Sequence, residues 1–439
     1  MPSVTIVGGG LAGLATAAAL GGSGFDVDLY EARGFLGGRA TSFPLAPSEE
    51  DSVVIDNCQH VLLKCCVNLL DFYQRLGVRD RVQFSSEFNF IEPGGRVSVF
   101  RRGALPAPLH FTGSFLGLKF LGMADKLSIA RGMMAIRSEH ETRRDLDKIS
   151  MLEWLREKRQ TPVAIERFWR QVLVSAINEE LDRMAAAHGF QVFWQAFLAN
   201  ADSYEMGVPA VPLGELYDND AWKRFERVAM HLRTPVESVD ASGCVTLAGG
   251  VVRKSDFTVV CLAPERMGTV APALNVDTSW VEYSPITGIH LWFDRAVTEL
   301  PHATLFDRTI QWMYNKGEGR YLQLVVSASR SLAEMPRADV IALAVRELAE
   351  FFPAVADAKM ERAHVIKELR ATFSARPGIE ELRPVTVTKA ENVFLAGDWT
   401  RSGWPATMEG AVRSGYLAAE AVTRAAGRPQ TFLLPQKRA

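Results

Sequence analysis

Glycines at Gly8, Gly10 and Gly13, a carboxylate at Glu31 and the run Gly37-Gly38-Arg39-Ala40 open this 439-residue sequence with types and spacing that suit one chemistry. The first glycine permits a tight turn, the second lets backbone approach a pyrophosphate, and the third lets a helix pack on a strand. Val4 to Val7 reads as the buried strand feeding the turn, and the alanine-rich stretch from Leu11 and Ala12 as the helix leaving it. The start of that helix offers unpaired N–H groups and a partial positive charge to two phosphates. A second apolar run, Val27 to Tyr30, delivers Glu31, followed by Ala32 and Arg33. That position is close to the roughly 20-residue spacing of a carboxylate that holds ribose hydroxyls and disfavours a 2′-phosphate. Arg39, between Gly38 and Ala40, is placed to neutralise phosphate. The chemistry implied is the binding of an adenine dinucleotide.

A complementary half lies near the other end. Val393 to Ala396 reads as a strand ending at Gly397-Asp398-Trp399-Thr400, and Met408-Glu409-Gly410-Ala411 opens a helix that Gly427 and Pro429 stop. In a parallel sheet ligands sit at the carboxyl ends of strands. Asp398 is therefore expected to accept a hydrogen bond from a ribityl or pyrophosphate-side hydroxyl, and the helix start near Gly410 to stabilise charge on a reduced flavin. Together the halves identify the dinucleotide as FAD used in redox chemistry. Candidate proton donors are His60 beside the flavin segment, Glu179 and Glu409. For two of them a plainer role stands alongside: His60 satisfied by backbone, Glu179 facing water.

The elements that must position these groups suggest an α/β architecture. A Rossmann-like FAD-binding domain is expected from 1–87, 214–278 and 389–428. A discontinuous second α+β substrate domain is expected from a mostly helical 88–213 and from 279–388, with a disordered tail at 429–439. Helices are predicted from Leu62 to Leu76, closed by Gly77, from Met151 to Arg159 after the N-cap Ser150, and from Ala164 to Ala187, stopped by His188-Gly189. A net charge of −2 and the absence of a dense basic run argue against nucleic acid. Five cysteines form neither a zinc-like pattern nor a disulfide framework, no metal is expected, and a reducing cytoplasm is the natural compartment. Leu105 to Met123 is too interrupted to span a bilayer, and no leader is read before the first strand. The stretch Ala124 to Met134 is amphipathic, suited either to a membrane surface or to the core.

The motifs from Gly8 to Arg39, at Gly397 to Thr400 and from Met408 to Gly415 resemble the FAD-dependent amine oxidase and phytoene desaturase superfamily. Asp56-Asn57-Cys58-Gln59-His60-Val61-Leu62-Leu63, the stretch Leu69 to Gly77 and Phe168-Trp169 are similar to the hydroxysqualene dehydroxylases of hopanoid synthesis. Two departures stand out: Cys58 where glycine is expected, and Asn178-Glu179-Glu180 where Asn-Thr-Pro is expected. The resemblance implies FAD contacts that extend to Asn57, Gln59, His60 and Val236, and a substrate site lined by Phe168, Trp169, Asn178, Trp399 and Trp404. It implies reductive removal of the hydroxyl of hydroxysqualene, a long isoprenoid lipid, with a membrane surface and neighbouring squalene-pathway enzymes as partners. Rival readings are an isoprenoid or carotenoid desaturase, a flavin amine oxidase with Trp404 as a cage aromatic, and a non-catalytic flavin-binding scaffold that hands on lipid.

Overall fold

The computed structural model describes residues 1–46 and 52–436. Apolar runs become the five strands of a parallel sheet, in the order Val228–His231, Asp26–Tyr30, Ser3–Val7, Phe257–Val260, Val393–Leu395. Covered on both faces, such strands need no alternation of polar and apolar residues, which is why they read as plain hydrophobic runs. The glycine-loop helix Leu11–Gly21 buries its alanines, and the closing helix Met408–Ala425 crosses it. A Cβ on Gly415 would stand 2.3 Å from the Ala12 carbonyl oxygen, so the crossing admits only glycine there.

A second sheet of seven strands runs Met360–Phe373, Tyr283–Phe293, Tyr321–Ser327, Trp312–Gly317, His302–Leu305, Glu87–Glu92, Arg96–Arg101. Along Tyr283–Phe293 the residues alternate: Ile289, Leu291 and Phe293 pack with the helix Arg337–Phe351, while Gly288 on the opposite face lies against the Asn57 carbonyl. The sheet therefore floors the loop that carries Asp56 to His60.

Several expectations are corrected. Glu87–Glu92 and Arg96–Arg101 form a hairpin at the edge of the second sheet, where helix was expected, because Phe88, Phe90 and Phe100 alternate with polar residues. Leu62–Leu63 pairs as a short strand with Met206–Pro209, and the helix begins only at Val67, ending as expected on Gly77 in the left-handed region. The long helix from Ala164 breaks at Asn178, whose φ is +59°, and His188-Gly189 lie inside the next helix, Ala186–Phe193. Asparagine tolerates that conformation better than most residues. The tail is docked as far as it is described: Glu420 Oε1 accepts the Phe432 and Leu433 N–H groups at 2.8 Å, and Phe432 is buried. Its last three residues lie outside those described. Among the described residues no helix is long and apolar enough to cross a membrane.

Candidate functional site

The glycine loop is built for close approach. Gly8 has φ +111°, and a Cβ on Gly13 would fall 2.0 Å from the Gly8 carbonyl oxygen, so turn and helix touch as the spacing predicts. At Gly10, by contrast, a Cβ would meet nothing within 4 Å, and no side chain caps the helix start at Leu11. An uncapped helix N-terminus facing open space at the carboxyl edge of a parallel sheet fits a pyrophosphate. Glu31 accepts the Gly9 N–H on Oε2 and the Arg33 N–H on Oε1, each at 2.8 Å, and a carboxylate's remaining lone pairs leave room for hydroxyl donors. Gly38 packs against the Gly10 Cα, bringing the second glycine run to the first, with Ala40 buried behind it and Ala32 exposed beside Arg33. Val236 is half-buried at the edge of a separate three-stranded antiparallel sheet.

Arg39 and Asp398, each expected at the cofactor, pair with one another. Arg39 Nη2 donates to both carboxylate oxygens of Asp398 at 2.7 Å, and Nη1 donates to the Ala371 carbonyl at 2.7 Å. The neighbouring carboxylate raises the Arg39 pKa above its ordinary value. The pair pins the Gly37–Ala40 turn to the end of the Val393–Leu395 strand.

Asn57 donates to the Arg39 carbonyl, and Gln59 Oε1 accepts from Lys316 Nζ at 3.0 Å, so the loop after Asp56 is held from both sheets. His60 Nδ1 lies 2.8 Å from the Cys58 carbonyl oxygen. A carbonyl only accepts, so the proton sits on Nδ1 and Nε2 carries a lone pair. Burial lowers the His60 pKa below its ordinary 6.5. Expected as a proton donor, His60 is instead a neutral acceptor at pH 7.

Glu409 accepts the Asn68 side-chain N–H at 2.8 Å and backbone N–H groups of Asn68 and Leu69, capping the helix Val67–Leu76 from the first turn of the closing helix. Burial raises its pKa against the pull of these donors. His60, Gln59, Trp404, Met408 and Glu409 line a cavity of about 300 Å³ that is partly open to solvent. Ala411, half-buried one turn into the closing helix, sits behind them. Phe90, Phe100, Leu118, Phe120 and Phe168 line the same cavity.

Four expected site residues do not line this cavity. Trp169 is buried behind Phe168 with its indole N–H on Gln160 Oε1. Trp399 is buried with its indole N–H on the Leu262 carbonyl. Asn178 donates to the Ser284 carbonyl and Thr372 Oγ1 and accepts the Ala328 N–H, locking the helix end to the second sheet. Glu179 is fully buried between both guanidinium nitrogens of Arg330, at 2.7 Å each, and the Ser374 hydroxyl. These partners hold its carboxyl below the ordinary value despite burial, so it is a structural anion and not a donor. Unforeseen on the wall are Phe88, Trp312 and Tyr314, the last two stacked with centroids 5.7 Å apart. The alternation of Trp312-Met313-Tyr314 was the available signal, since residues i and i+2 of a strand share a face.

Residues 11–423 match the family described as flavin containing amine oxidoreductase. A zeta-carotene desaturase of Synechocystis sp. is 26% identical over 98% of this chain and 99% of its own length. A hydroxysqualene dehydroxylase of Sinorhizobium fredii is 24% identical over 95% and 97%. A solved structure of a redesigned putrescine oxidase superposes with a TM-score of 0.69 at 15% identity, covering 97% and 99%, a likeness of fold. FAD is the cofactor, and the chain belongs to the flavin-containing amine oxidoreductase family.

Proposed function

We propose that this FAD-dependent oxidoreductase acts on a long isoprenoid hydrocarbon, and that its reaction is the reductive removal of the hydroxyl of hydroxysqualene to give squalene. The observation that carries the substrate class is the cavity. Phe90, Leu118, Phe120 and Phe168 line it together with His60 and Trp404, and among the described residues its single carboxyl, Glu409, is engaged by the helix it caps. Such a wall gains by covering apolar surface and offers a cationic amine little compensation for lost water. The choice of hydroxysqualene rests on the Asp56 to His60 strip and on the similarity to the Sinorhizobium fredii protein.

When bound, reduced flavin would supply the hydride that replaces the hydroxyl at the carbinol carbon, the oxygen leaving as water with one proton added. The glycine loop, Glu31 and the closing-helix start hold the cofactor; Arg39 and Asp398 hold the turn around it. His60 Nε2 orients the substrate by accepting its hydroxyl proton in a hydrogen bond. Glu409 lines the same cavity, and in its protonated form, which would give up part of its cap on the helix Val67–Leu76, it would supply the proton for the departing oxygen. The faces of Trp312 and Tyr314 shield positive charge developing on the allylic carbon, and walls that exclude water protect it from capture.

A second reading, desaturation of an isoprenoid, is favoured by one observation: an unprotonated His60 Nε2 suits removal of a proton from carbon. Hydroxysqualene, squalene and phytoene offered in parallel to oxidised and anaerobically reduced enzyme separate the two. Squalene carrying label from reduced flavin is the expected outcome. Turnover of phytoene by oxidised enzyme, with hydroxysqualene untouched, would replace dehydroxylation by desaturation.

A further inference from the structure

The segment from Arg101 to Glu139 wears its apolar residues outside. Its helix Met123–Glu139 turns Lys126, Ser128 and Gly132 inward together with Ile129 and Ile136, while Met123, Leu127 and Met134 are 62%, 63% and 65% exposed. At spacings of four and seven residues, with exposed Ala130 between, these side chains form one stripe. Lys126 Nζ donates to the Leu116 carbonyl at 2.7 Å and so ties the helix to the preceding turns, where Leu105, Leu109 and Leu116 are also more than half exposed. Single exposed leucines are ordinary on a protein surface; six Leu and Met side chains on one tied segment are a patch.

The charge around this patch is mainly positive. Residues 101–139 hold six basic residues and two acids, Asp125 and Glu139, the latter paired with Arg143 and Lys158, in a chain whose net charge is −2. Every one of the six except Lys126 is exposed, with Arg101 paired to Glu87. Asp125 is withdrawn, accepting the Gly122 N–H and the Thr161 hydroxyl. The inner side of the same segment contributes Leu118 and Phe120 to the cavity wall.

We propose that this face docks on an anionic lipid bilayer. The exposed Leu and Met side chains enter the boundary between headgroups and acyl chains, and Arg102, Lys119, Arg131 and Arg137 meet lipid phosphates. Docking places the outer side of the cavity wall against hydrocarbon, a direct route for a water-insoluble substrate. That route rests on the lipid reading of the cavity; the docking itself does not, and it is measured without substrate.

The test is co-sedimentation of the FAD-loaded full chain with vesicles of phosphatidylcholine alone and of phosphatidylcholine with phosphatidylglycerol, alongside its elution volume on a sizing column. The wild type is expected to pellet with the anionic vesicles, with affinity falling as salt rises. The double variant Leu127→Gln/Met134→Gln is expected to lose at least tenfold in vesicle affinity while keeping bound flavin and monomer size. A wild type that stays in the supernatant, or a double variant that pellets equally well, overturns the proposal. So does a wild-type dimer that the double variant converts to monomer without prior vesicle binding, which would assign the face to a second copy of the chain.

Discussion

Because the Cys58 carbonyl fixes the His60 proton on Nδ1, the useful atom of this residue is a basic Nε2, and its pH dependence has a definite sign. Burial lowers the folded pKa below 6.5, so the neutral form predominates at pH 7 and is lost as pH falls through that lowered value. kcat/KM is expected to be level above pH 7 with respect to this group and to drop on the acid side below 6.5. His60→Gln should retain FAD yet turn over more slowly and lose that acid limb. A limb centred above 6.5 that disappears in the variant would show the imidazolium acting as a donor. The residue was legible from sequence because it sits in a local strip beside the flavin half-site. Its protonation state was not, since that depends on a carbonyl two residues away and on walls from distant segments. Glu179 was misread for the same reason: Arg330 and Ser374, which hold it as a structural anion, lie far along the chain.

Elements whose signals are local came through; elements defined by distant partners did not. The first strand, the glycine helix and the Ser150 capping box follow from neighbours within a few residues. The tail carries two prolines and lysine and arginine near its end, and reads as disordered because its partners, Glu420, Asn68 and Tyr416, are invisible locally. As a docked strap it has a function: Leu434 N–H donates to Asn68 Oδ1, and the Asn68 amide in turn donates to Glu409 on the cavity wall. Burying a phenyl ring against the closing helix contributes stability comparable to other core aromatics, so Phe432→Ala should cost about 2–4 kcal/mol. Urea unfolding of the FAD-loaded protein measures this. A loss below about 0.5 kcal/mol would return the strap to the status of a solvated end.

At the scale of the whole molecule the cofactor site is where three visits of the chain to one sheet converge, with the second sheet pressed beneath them. A dinucleotide lying across these junctions binds the folded arrangement and not the unfolded chain, so it must stabilise the fold by mass action, about 2.7 kcal/mol at a free concentration of 100 Kd. Gly10 offers a clean way to separate that contribution from the fold's own. Its φ of −75° and ψ of 175° are extended backbone that valine adopts readily, and the space where its Cβ would stand meets no protein atom within 4 Å. A valine there should leave the apoprotein's unfolding midpoint within error of the wild-type apoprotein while filling the space assigned to the pyrophosphate. Gly10→Val is therefore expected to purify colourless, to show no rise in unfolding midpoint when FAD is added, and to have no flavin-dependent turnover. Gly13→Val is its contrast: a Cβ 2.0 Å from the Gly8 carbonyl oxygen strains the turn itself, so that variant should lose apoprotein stability as well. Equal FAD binding by Gly10→Val and wild type would move the dinucleotide away from the glycine loop, and with it the placement of the flavin beside His60 in the cavity.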